Sequence, residues 1–223
     1  MRGFGDMRLI GREREPLATV DGFAADPDAL RTAAQNAQFA PAGQHYPGIR
    51  APLPPGYLAA QLPLIADVLG RHFGRVRRIH VVDAAFSIVT CPPGKLHVRQ
   101  RLPHVDAYGR ERIALVHYLS PGEEDGTAFF RHRASGFETI DDARAAGYFE
   151  QLDAELRGAE APTGYIADDT ALFERTALAP ARYNRALLYR SYMLHSGAIS
   201  PDAALSPDPA RGRLTITGFF AVE

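Results

Sequence analysis

The chain has 223 residues, 46% of them hydrophobic and 23% charged, with a formal net charge of −1. That is ordinary globular composition, enough for one large domain with a substantial core. The near-neutral balance, with no long basic run, argues against nucleic acid or an anionic membrane as partner.

The single cysteine, Cys91, rules out an internal disulfide and with it a disulfide-stapled secreted fold. The opening MRGFGDMRLIGREREPL has no apolar signal core, and no stretch approaches membrane-spanning length, so a soluble, cytoplasmic protein is expected. The first 25 residues read as a short strand or arm around ATVDGF. A helix follows, with Asp26 as its N-cap, Pro27 in its first turn, and Ala29, Leu30, Ala33, Ala34 and Ala37 on one apolar face. Residues 40–56, APAGQHYPGIRAPLPPG, are dense in proline and glycine and read as an irregular loop. A second helix is expected over about 56–73, with Pro63 as a kink or late start.

From residue 79 the period shortens. IHVVDAAFSIVT (79–90), LHVRQRL (96–102), IALVHYLS (113–120) and TAFFRHR (127–133) read as strands, separated by turn signals such as CPPG and DAYG. A helical insertion is expected over 141–178, made of one helix at 141–159 and another near 168–178. RALLYRSYML (185–194) and RLTITGFF (213–220) are two further strands, joined through the proline-punctuated loop 200–212. Helices first and short strands after predict one α+β domain, with a helical part at 1–78 and a small antiparallel barrel or sandwich at 79–223.

His104 and Asp106 stand at i and i+2 in LPHVDAYG. On extended backbone their side chains point to one side, with Cα atoms roughly 7 Å apart. Alone, such a pair is a common surface feature. It gains weight from His195 in YMLHSGAI, placed at the end of a remote strand that an antiparallel barrel can return to His104. Two histidines and one carboxylate on one face of an ion are the facial arrangement of non-haem Fe(II) oxygenases, with positions left open for a co-substrate and dioxygen.

These residues also carry a resemblance. HVDAYGRERIALVHYLSPGEEDGTAFF resembles the prolyl-hydroxylase-like branch of the Fe(II)/2-oxoglutarate dioxygenases, with its His-x-Asp, an apolar strand and a glycine-containing turn. ALLYRSYMLHSGAI…GRLTITGFF is similar to the second half of that branch, a distal histidine followed by a strand led by arginine. A bacterial subgroup of the superfamily, marked by YPGIR, PHVD, YLS…GTAFFRHR and LHS, is more similar still. The resemblance implies a double-stranded β-helix (jelly-roll, cupin-like) core with flanking N-terminal helices. It assigns His104, Asp106 and His195 to Fe(II), and Arg213 and Tyr118 to the distal carboxylate of 2-oxoglutarate, the co-substrate. A guanidinium suits that role because its two-pronged donor matches a carboxylate. Thr215 and Thr217 share the face of Arg213 on an alternating strand, and Thr215 joins the co-substrate set.

The interval from His195 to Arg213 exceeds the branch's usual spacing, so Arg211 competes for the arginine position; the strand that follows favours Arg213. Ser120 stands where the branch has asparagine, and Glu124-Asp125-Gly126 where it has a double glycine. His117 alternates with Tyr118 and belongs to the opposite face. His97 is either strand filler or a neighbour of the iron. RHR at 131–133 is either a charged strand edge that deters pairing or a cationic rim for an anionic substrate. Oxidation of a C–H bond in a small molecule or peptide is the activity the resemblance implies. A cupin-like module that holds a metal or a small acid without turnover uses the same residues, as would a hydrolase or isomerase built on another metal.

Overall fold

The computed structural model describes residues 5–43, 46–121, 126–158, 162–200, 203 and 205–223. Two antiparallel sheets face each other. The larger draws on β1 (Asp6–Ile10), β2 (Glu15–Asp21), β3 (Ala40–Pro41), β4 (Gly48–Ala51), β5 (Ile79–Val89), β6 (Arg112–Tyr118), β9 (Arg185–Arg190) and β11 (Leu214–Val222). Its spatial order is β1-β2-β9-β6-β11-β5-β4-β3. The smaller sheet is ordered β10-β7-β8, from β7 (Gly126–His132), β8 (Phe173–Pro180) and β10 (His195–Ala198). With the three helices among the described residues this is an α+β jelly roll.

Side-chain alternation sorts the layers. Ile113 and Leu115 of β6, Ala186 and Leu188 of β9, and Leu214 and Ile216 of β11 face outward into a core shared with α1 (Pro27–Gln35) and α2 (Tyr57–His72). Their neighbours Ala114, Tyr118, Leu187 and Tyr189 turn the other way and meet Phe129 of β7 between the sheets. The far side of the small sheet, with Ala128 and Phe130, is sealed by Tyr148 and Leu152 of α3 (Asp142–Gly158). The site described below lies between the sheets.

Helix α1 begins as expected: the Asp26 carboxylate accepts a hydrogen bond from the Ala29 amide at 2.9 Å, and Pro27 occupies the first turn. Leu30 and Ala34 are buried, whereas Ala29 faces solvent. Helix α2 runs through Pro63.

Several expectations are corrected. Residues 1–78 are not simply helical, because β1–β4 all join the large sheet. The 40–56 segment contains the β3–β4 ladder, and Gly48 is required there, since a Cβ would stand 2.0 Å from the Ile88 carbonyl oxygen. The expected strand at 96–102 is a pair of 3₁₀ turns, Pro93–Lys95 and Val98–Arg101. There the Gln100 side chain accepts from the His97 amide at 3.0 Å, and the Arg101 guanidinium curls back onto the Leu96 carbonyl at 2.7 Å. The helix expected near 168–178 is instead β8, paired with β7 from Gly126↔Pro180 to His132↔Phe173. Glu124 and Asp125 lie outside the described residues.

Residues 131–133 form neither a strand edge nor a cationic rim. Arg131 and His132 end β7, the middle strand of its sheet, and Arg133 opens the turn that follows. Arg131 is buried against Glu138 (3.1 Å) and also pairs with Glu174. His132 is fully buried, 2.7 Å from Glu155 and 2.9 Å from Ser135. Only Arg133 is exposed, paired with Asp169 at 3.3 Å.

Candidate metal centre

His195 opens β10 rather than ending a strand. On one side it pairs with Phe129 of β7; on the other it forms an isolated antiparallel bridge with His104. That bridge has both backbone bonds, His104 N–H to the His195 carbonyl at 2.8 Å and His195 N–H to the His104 carbonyl at 2.9 Å. Two residues on, the Asp106 amide donates to the Ser191 carbonyl at 2.8 Å. The backbone therefore fixes all three residues before any side chain is considered.

The side chains converge. Asp106 Oδ1 lies 3.7 Å from His104 Nε2, and Asp106 Oδ2 lies 3.4 Å from His195 Nε2. One ligand atom from each residue can be chosen so that all three lie within 4.8 Å of one another. An ion bonded at about 2.0–2.2 Å to nitrogen and oxygen donors brings neighbouring donors to about 3 Å. The gap is a few tenths of an ångström at the Asp106 contacts, within reach of side-chain rotation. Among the described residues this is the only group of three histidine, cysteine or acidic side chains that meets the spacing for a metal.

Tautomer and charge also fit. His195 Nδ1 lies 2.9 Å from the Met193 carbonyl, which can only accept, so Nδ1 carries a hydrogen and Nε2, on the Asp106 side, is the nitrogen left for a metal. Burial and the adjacent His195 lower His104 to about 4, against the opposing pull of Asp106 and of a hydrogen bond with the Leu102 backbone. The His104 side chain is 53% exposed, so solvent tempers the burial contribution. The like-signed neighbour acts in the same direction, and a neutral imidazole is the form a metal takes. The two rings lie 4.5 Å apart at their centroids.

Deeper between the sheets, Thr215 of β11 stands opposite Tyr118 of β6 and, on its other side, Ser87 of β5. Tyr118 Oη and Thr127 Oγ1 are 2.7 Å apart, and Thr215 Oγ1 donates to the Ser87 carbonyl at 3.2 Å. Arg213, immediately before β11, donates to the Gly126 carbonyl at 2.9 Å, and its guanidinium carbon stands 5.6 Å from the centre of the Tyr118 ring. Arg211 is exposed. A second guanidinium, Arg50 of β4, reaches Ser87 and Thr217 at 3.3 Å each and pairs with Asp83 at 2.6 Å. Sequence reasoning passed over Arg50, Ser87, Tyr46 and Tyr189. Tyr46 is hydrogen bonded to Thr215 and Ser87, and burial pushes its hydroxyl up to about 12. His97 flanks a 3₁₀ turn rather than a strand, and His117 is buried on the opposite face of β6, as alternation predicts.

The family model described as "Family of unknown function (DUF6445)" matches residues 5–220. The chain belongs to DUF6445. No curated protein matches it. Among solved structures, the DUF6445 chain is similar to the non-heme alpha ketoglutarate dependent carbocyclase SnoK from nogalamycin biosynthesis. The two share 12% identity over 94% of this chain and 80% of that one, with a TM-score of 0.51. At that identity the likeness speaks for the fold. The epimerase SnoN from the same biosynthesis (13% identity, 94% and 79% covered) gives a TM-score of 0.46. EctD from S. alaskensis, solved with bound Fe, gives 0.41 at 12% identity, with 99% and 85% covered.

Proposed function

We propose that this chain is an Fe(II)- and 2-oxoglutarate-dependent oxygenase of the prolyl-hydroxylase-like branch, oxidising a C–H bond of a small molecule or peptide. The observation that carries the reading is the convergence of His104, Asp106 and His195 on one point inside a jelly roll. One carboxylate and two neutral imidazoles leave an Fe(II) ion with net positive charge, which suits an anionic co-substrate. The bound metal, with 2-oxoglutarate and dioxygen, would supply the oxidising chemistry.

The chain's own residues bind, orient and exclude water. Asp106 would take the metal between the two imidazoles, and the Met193 carbonyl holds His195 in the ligating tautomer. Arg213 would receive the distal carboxylate of 2-oxoglutarate, with Tyr118 and Thr215 beside it. Phe129 and Tyr189, both 2% exposed, close the interior to water.

The test is anaerobic titration of the metal-free protein with Fe(II), then 2-oxoglutarate, followed by admission of oxygen and measurement of succinate. Stoichiometric metal uptake, metal-dependent 2-oxoglutarate binding and slow succinate release are expected, with all three lost in Asp106→Ala. Metal uptake without 2-oxoglutarate binding would favour the non-catalytic cupin-like module.

A further inference from the structure

Tyr189 helps to close the interior to water, but the proposed function gives its hydroxyl no partner. It lies on β9 opposite Ala114 of β6, and alternation turns it inward beside Leu187. Its ring stands 4.9 Å from the His195 ring at 64° and 5.1 Å from Phe129 at 85°, so its position is set by packing on a metal-ligand residue. The residue is 2% exposed. The hydroxyl is nevertheless bound by no hydrogen bond among the described residues; what acts on it is burial, then the charge of Asp106, then Tyr118 and Arg213. A buried phenol normally finds a partner. This one is carried on a ring packed against His195 of the metal triad.

We infer that the Tyr189 hydroxyl donates a hydrogen bond to the metal-proximal 2-oxo acid end of the co-substrate, which makes it a specificity-determining donor distinct from Arg213 at the distal end. The inference rests on the proposed function. The choice of end follows from position: the Tyr189 ring packs on His195 of the metal triad, whereas the Arg213 guanidinium lies over the Tyr118 ring. A phenol suits this place because an ordinary tyrosine hydroxyl is a neutral donor at neutral pH and meets an anionic oxygen without adding a second negative charge.

The experiment separates the two ends of the ligand. Protein loaded with Zn(II), which supports no turnover, is titrated calorimetrically with 2-oxoglutarate and with pyruvate, the same 2-oxo acid group without the distal carboxylate. Tyr189→Phe keeps the ring packing on His195 and Phe129 and removes only the oxygen. Its Zn(II) affinity is expected to be unchanged, while both acids bind roughly ten- to a hundredfold more weakly, the range for a hydrogen bond to a charged acceptor. Arg213→Ala, by contrast, is expected to weaken 2-oxoglutarate and leave pyruvate alone. Unchanged binding of both acids by Tyr189→Phe would overturn the inference, as would loss confined to 2-oxoglutarate, which would put the hydroxyl at the distal end. A drop in Zn(II) affinity would also overturn it, assigning the hydroxyl to Asp106. If the wild-type protein takes up Zn(II) but binds neither acid, the co-substrate reading itself falls.

Discussion

Arg211 and Arg213 are two residues apart and differ in everything that matters to a carboxylate. Arg211 is exposed, whereas Arg213 points inward to the Gly126 carbonyl and the Tyr118 ring. Arg213→Ala is expected to leave metal affinity nearly unchanged and to weaken 2-oxoglutarate by about 2–5 kcal/mol, the usual cost of deleting one partner of a buried charge pair. Arg213→Lys should restore part of that, keeping charge but losing the fork, and Arg211→Ala should do little; calorimetric binding to metal-loaded variants reads all three. Strand alternation made this preference legible in RLTITGFF, as the i, i+2 spacing made His104 and Asp106 legible as a pair. Alternation also separated His117 from Tyr118. It did not single out Tyr189, because in RALLYR a tyrosine after three apolar residues looks like core filler. What distinguishes it is the neighbourhood of its hydroxyl, a property of the folded chain alone.

At the scale of elements, the misread segments share a cause: tertiary partners outweighed local preference. FERTALAP, rich in helix formers such as Ala, Leu, Glu and Arg, becomes β8 because β7 supplies a ladder and Arg131 pairs with Glu174 across it. LHVRQRL alternates like a strand yet folds into a turn on bonds from Gln100 and Arg101, one of which reaches Pro162 at 3.1 Å. In the sequence the β1–β2 hairpin reads only as a short strand or arm around ATVDGF, and its anchor is distant in sequence. Buried Glu138 accepts from the Arg12 and Glu13 amides at 3.0 Å each, while the Glu13 carboxylate accepts from Thr139 and Arg144. Gly11, at φ +66°, lets the turn come this close, since a Cβ there would sit 2.0 Å from the Glu138 carboxylate. Glu138→Ala would orphan both amides and remove one of the two acidic partners of Arg131. A loss of about 3 kcal/mol in urea unfolding is expected, with limited proteolysis of the hairpin as a second readout.

For the whole molecule, the junction between α2, the large sheet and the loop before β9 is held by a neutral histidine. His117 is fully buried; Tyr57 Oη lies 3.1 Å from its Nδ1 and Asn184 Oδ1 lies 3.0 Å from its Nε2. Asn184 also exchanges side-chain bonds with Ala24 and, at φ 60°, donates its amide to the Tyr118 carbonyl. Burial lowers His117 to about 4, against the pull of Asn184. Between about pH 4 and 6.5 the unfolded chain therefore binds a proton that the folded chain refuses. Stability should be fully present above about pH 6.5 and fall by up to ~3 kcal/mol as the pH drops toward 4. His104, lowered in the same direction, adds to this in the metal-free protein. Urea unfolding across that range should show the slope, and His117→Gln should flatten it.

The paired backbone bonds between His104 and His195 carry a further consequence. Because each ligand holds the other in place through the main chain, any fluctuation that peels β10 from the segment before Asp106 removes two donors from the ion together. Metal occupancy and the closure of that seam are thus one equilibrium seen from two sides. An ion held there would act as a rivet, stiffening the junction between the small sheet and its neighbouring loop by RT ln(1 + [M]/Kd), however little the rest of the jelly roll responds.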